Sequence, residues 1–69
     1  MTYLEALEAV HDAVVEVHRH VDARAMFIMA RDVEGVHEAE TAASMARADL
    51  DKALAVVAAI KATQQAASN

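Results

Sequence analysis

Four histidines and eleven acidic residues are the side chains in this 69-residue chain that suggest chemistry first. Glu8-Ala9-Val10-His11 and Glu34-Gly35-Val36-His37 both read Glu-x-x-His. Di-iron helical bundles use that spacing on two of their helices, because residues three apart on a helix share one face. The motif binds metal only when both side chains point inward and two further carboxylates complete the set. Glu8 falls about 140° from the centre of the apolar face of its helix, at 100° per residue. The second pair is expected to straddle a turn at Gly35, and no inward-facing Glu completes the set. The expectation is therefore no metal and no cofactor. His11 and His18, seven apart at the edge of the apolar face, read as half-buried boundary residues. Their other reading is a pH-sensitive interface, since imidazole titrates near neutrality.

Covalent catalysis finds no obvious player. The chain has no Cys, two Ser and three Thr, and no segment suited to a long pocket-forming loop. A glycine-rich phosphate loop cannot be built from one Gly. The chain is expected not to be an enzyme.

The elements that would carry these residues are helices. Eighteen Ala, no Pro and a single Gly exclude a turn-rich β fold. Thr2-Tyr3-Leu4-Glu5 has the pattern of a capping box, with Thr2 and Glu5 exchanging side-chain and backbone bonds. Leu7, Val10, Val14, Val17, Val21 and Ile28 then recur at helical steps and span about 80° of arc. Gly35 is the expected left-handed residue that ends this helix. Beyond it, Ala39, Ala43, Ala46, Leu50, Ala53, Val57, Ile60 and Gln64 step by four and three. That is a heptad seam whose first half is almost all Ala.

One domain spanning 1–69 is expected: helix 1 over about 3–34, a turn near Gly35 and helix 2 over about 37–66. Charge favours folding at the middle over one long helix. Acidic 1–18 would lie beside basic 52–69, and basic 19–31 beside acidic 39–51. A lone hairpin leaves each helix half wrapped, so the expected fold is an all-α antiparallel hairpin that homodimerises into a four-helix bundle. Its core residues are Leu7, Val10, Val14, Val17, Val21, Ile28, Ala43, Ala46, Leu50, Val57 and Ile60.

The binding candidates lie near the turn. His20, Arg24, Phe27 and Arg31 form a stripe within about 60°, set to one side of the apolar face. A Phe between two Arg has the composition of an interface hot spot. In the other reading Phe27 closes the edge of the dimer core, with the Arg residues paired to the acids of 39–51. Met26, Met29 and Val33 form a second apolar flank, open to the same choice between partner binding and dimer burial. The net charge of −5 argues against nucleic acid as a partner. The longest apolar run, Ala53–Ile60, is eight residues, too short for a bilayer span. The acidic start lacks the basic segment of a signal peptide, so a cytoplasmic location is expected.

In layout the chain resembles the repressor-of-primer family. The resemblance rests on the capped start at Thr2, the seam and a single turn at Gly35. It implies a dimeric four-helix bundle binding paired RNA loops, with Arg24-Phe27-Arg31 as the counterpart of that family's RNA-binding face. The chain is also similar to small accessory proteins of phages infecting GC-rich bacteria, including anti-activators of quorum-sensing transcription factors. Size, the Ala-rich segment Val36–Ile60 and the apolar run Ala25–Ala30 carry that similarity. It implies a homodimer in the host cytoplasm that binds and disables a host protein such as a transcription factor.

Overall fold

A computed structural model of the chain describes residues 1–68; Asn69 lies outside the described residues. Two α-helices make up the fold, α1 (Tyr3–Met29) and α2 (Val33–Ser68), running antiparallel as a hairpin. The start of α1 follows from the capping box. Thr2 N donates to Glu5 Oε1 at 3.2 Å, and Glu5 N donates to Thr2 Oγ1 at 3.1 Å. Each bond satisfies a backbone donor that the first helical turn leaves without an intrahelical partner.

The turn falls at Ala30–Asp32, earlier than the expected position at Gly35. Helix α1 ends in a Schellman arrangement: Arg31 N donates to Ile28 O at 3.1 Å and Asp32 N to Phe27 O at 2.9 Å. The left-handed residue that this motif requires is Arg31, with φ of 58°. Asp32 then opens α2. Its Oδ1 accepts from Gly35 N at 3.0 Å, and its carbonyl accepts from Val36 N at 3.0 Å. Those are the two bonds of a helix N-cap. Asp32→Ala is accordingly expected to cost about 1 kcal/mol, read as a lower urea midpoint at unchanged slope. Asp32→Asn should keep most of that stability.

Gly35 is therefore a helical residue in the first turn of α2, without a positive φ. Its role is steric. A Cβ placed there would lie 2.6 Å from Phe27 Cγ and 2.8 Å from Phe27 Cε1. The aromatic ring rests on the bare glycine backbone and locks the two helices together beside the turn.

Away from the turn the helices meet through alanine. Ala6, Ala39 and Ala46 are the buried hydrophobic side chains among the described residues. In α2 the expected seam holds: Ala39, Ala43, Ala46, Leu50, Ala53, Val57 and Ile60 are all buried or half-buried, while Gln64 is exposed. In α1 the buried and half-buried positions are Tyr3, Ala6, Ala9, Val10, Ala13, Val14, Val17, His20, Ala23 and Phe27. Of the expected α1 face, Val10, Val14 and Val17 are half-buried, but Leu7, Val21 and Ile28 remain 40–48% exposed. The helix is rolled so that Ala6 is buried against α2 while Leu7, Val21 and Ile28 lie off the contact. Alanine lets the axes approach, whereas Leu and Ile at the centre of the contact would hold them apart. The larger residues are displaced to one flank. Residues 61–67 are exposed throughout, and the molecule is a rod of 56 × 15 × 14 Å.

Candidate interaction surface

The roll of α1 decides where each candidate side chain goes. Phe27 is half-buried against Gly35. Arg24 Nε reaches across to Glu40 Oε1 at 2.9 Å, forming the cross-helix ion pair of the hairpin. His20 is half-buried, with Nε2 3.4 Å from Glu16 Oε2. Arg31 occupies the turn. The stripe His20, Arg24, Phe27 and Arg31 is thus divided between the helix contact, a salt bridge and the turn. Within the hairpin Phe27 rests on Gly35 and Arg24 pairs with Glu40, while Arg31 lies in the turn.

The Met26, Met29 and Val33 group has the opposite fate. These residues are 71%, 85% and 80% exposed and stand at the turn end of the rod. Ile28, one residue before Met29, adds a further half-exposed aliphatic side chain. Thioether side chains are flexible and polarisable, so such a surface can adapt to the contour of an apolar partner.

Two shallow grooves run along the sides of the hairpin where α1 and α2 meet. One is lined by Val21, Arg24, Glu40, Ala43, Ser44 and Arg47. The other is lined by Asp12, Ala13, Glu16, His20, Met45 and Asp49, together with Ala42 and Ala46. The first groove shares its side with the displaced aliphatic residues of α1, because Leu7, Val14 and Ile28 are whole heptads from Val21. Leu54 of α2, seven residues after Arg47, is on this side too and is half-exposed.

The histidines do not converge. His11 and His18 are exposed, not half-buried as expected; His11 Nδ1 lies 3.5 Å from Asp12 Oδ1, and His18 Nδ1 lies 3.0 Å from Val14 O. Since α2 begins at Val33, the pair Glu34 and His37 keeps helical spacing after all, yet both residues are exposed. Glu8 is exposed as well. No group of three His, Asp or Glu side chains suited to a metal ion occurs among the described residues.

Sequence reasoning missed Asp32 and Gly35 as partners. The signal was present: an Asp three residues before a Gly, followed by Val33-Glu34, marks a helix start as well as it marks a turn. Missing, too, was the distinction between α1's apolar face and its contact face.

The fold and its surface define an all-α helical hairpin, with no strand among the described residues. No helix is long and apolar enough to cross a membrane among those residues. Neither a protein-family model, nor a curated protein, nor a solved structure matches this chain.

Proposed function

We propose that this protein is a non-catalytic, homodimeric protein-binding module, acting as an inhibitor or adaptor on a host regulatory protein such as a transcriptional activator. The observation that carries this reading is the exposed apolar turn end formed by Met26, Met29 and Val33. Water-exposed apolar side chains gathered at one end of a small soluble chain mark an interaction site. Several polar side chains near this end and along α1 already have partners within the chain. Asp32 caps a helix, Arg24 pairs with Glu40, and Arg19 donates to Glu16 at 3.2 Å.

The same engagement favours a protein partner over RNA. An RNA-binding face would need Arg24 and Phe27 together at the surface, but one is bound to a carboxylate and the other lies on Gly35. Arg31 alone is little positive charge on a chain of net charge −5.

The test is affinity capture from the source organism with the full-length chain as bait, comparing wild type with Met26→Ser, Met29→Ser. The expected result is that proteins enriched by wild type disappear with the double variant, while its helicity and melting temperature stay within error. Both positions are exposed, so a folding defect is not expected. Enrichment of the same proteins by both baits would place binding away from the turn end and sink this reading.

A further inference from the structure

We infer that the flank bearing Leu7, Val14, Val21 and Ile28 receives a second copy of this chain, packed antiparallel about a two-fold axis. This deepens the homodimer in the function proposed above by assigning it a face and a direction. Three observations carry it.

The first is area. The chain exposes 5291 Å², whereas a compact monomer of 7.4 kDa exposes about 4,200 Å². The rod shape and the overhang at 61–67 account for part of the difference. The excess, roughly 1,100 Å² before shape is counted, is of the order of the ~800 Å² that each partner contributes to a standard interface. The interior offers little in compensation, since the buried hydrophobic side chains are three alanines.

The second is the pattern of the stripe. Leu, Val, Val and Ile at 7, 14, 21 and 28 run large, small, small, large. Reversed end for end, the stripe has the same size pattern. An antiparallel copy would set Leu7 beside Ile28 and Val14 beside Val21, so that the apolar stripe meets itself along its length. A two-fold contact joins one patch to itself, and an apolar stripe spaced evenly about its own midpoint allows that in apolar character. A different partner would impose no such symmetry.

The third is charge. The acids of the first half of α1, Glu5, Glu8, Asp12 and Glu16, project roughly 100° or more around the helix from this stripe, and Asp51 of α2, a heptad after the groove residue Ser44, stands four residues from Arg47. Glu40 on this side is already paired with Arg24. Two copies can therefore approach through this flank without opposing their excess negative charge. The other groove, with Asp12, Glu16 and Asp49 along it, would bring like charges together.

The chain has no cysteine, so introduced thiols report contacts without ambiguity. Full-length Leu7→Cys and Ile28→Cys chains are mixed, oxidised mildly and compared with each variant alone. The expected product is the mixed 7-to-28 disulfide, with little self-linkage in either variant alone. In parallel, sedimentation of the wild-type chain should give twice the chain mass at micromolar concentration. Val21→Asp should weaken association by at least about 100-fold, because the partner's surface would bury an unpaired carboxylate. Met45→Asp, on the opposite groove, should leave association unchanged and guards against a general folding effect. A wild-type monomer, self-linked Leu7→Cys chains, or dissociation by Met45→Asp but not Val21→Asp would each overturn the assignment. Capture by the Met26, Met29 and Val33 surface is read in a separate experiment. Loss of that binding alone would refute the partner site and leave the dimer face standing.

Discussion

Gly35→Ala is expected to destabilise the hairpin by about 1–3 kcal/mol, although the same change within a helix ordinarily stabilises by about 1 kcal/mol. The reversal comes from one ring. A methyl group at Gly35 would sit 2.6 Å from Phe27 Cγ, far inside carbon–carbon contact distance, and the obstacle is a rigid aromatic ring. Either Phe27 leaves its position or the helices part beside the turn. Phe27→Ala alone should also destabilise, by removing the ring that covers the glycine backbone. The double variant should be much less unstable than the two single effects added together, since the clash and the ring disappear at once. A double-mutant cycle by urea denaturation measures this coupling, expected at 1 kcal/mol or more in favour of the double variant. A Gly35→Ala protein more stable than wild type would mean that the ring does not rest on the glycine.

Ala46→Asp should abolish cooperative folding. Ala46 lies in the middle of the α2 seam and is 7% exposed. Removing one partner from a buried charge pair costs about 3–5 kcal/mol, and an unpartnered Asp on the seam meets the same penalty. Domains of this length hold roughly 3–10 kcal/mol in total. Circular dichroism should show loss of most helicity at room temperature. Ala48→Asp, two residues away and exposed, should remain folded with stability within about 0.5 kcal/mol of wild type. Retained, sharply melting helicity in Ala46→Asp would show that the seam is not the structural centre of the hairpin.

These two positions mark what the sequence could and could not convey. The α2 seam was legible because Leu50, Val57 and Ile60 anchor a strict heptad, and the alanines between them inherit its phase. The start of α1 was equally legible, since Thr2 and Glu5 carry a reciprocal bond in their spacing. The turn was not. Gly35 is the residue best suited to a left-handed conformation, yet Arg31 adopts it, because Asp32 supplies the cap that fixes where α2 starts. The glycine serves instead to let an aromatic ring approach, a need set by a residue eight positions earlier. The roll of α1 was hidden for a related reason. Periodicity weights Val, Leu and Ile over Ala, so it finds the most apolar face rather than the face that packs closest. In α1 the two overlap at Val10, Val14 and Val17 but part at Leu7, Val21 and Ile28, which stay exposed. The place of Phe27 against Gly35 was not legible, since a Phe flanked by Arg looks the same in sequence whether its ring points outward or across to a glycine.

The three-residue turn also orders the folding reaction. Contact between Phe27 and Gly35 closes a loop of eight residues, a step that flexible chains complete in about 10–100 ns. The Arg24–Glu40 pair spans sixteen residues, and contacts toward Tyr3 and Ile60 span most of the chain. Each successive contact away from the turn would cost more closure entropy if made first, but little once its neighbour nearer the turn is in place. Chain entropy thus favours a zipper that starts at the turn and propagates toward the termini. Native contacts beside the turn belong to the early part of that path, and the Ala6 end of the seam belongs to its last steps.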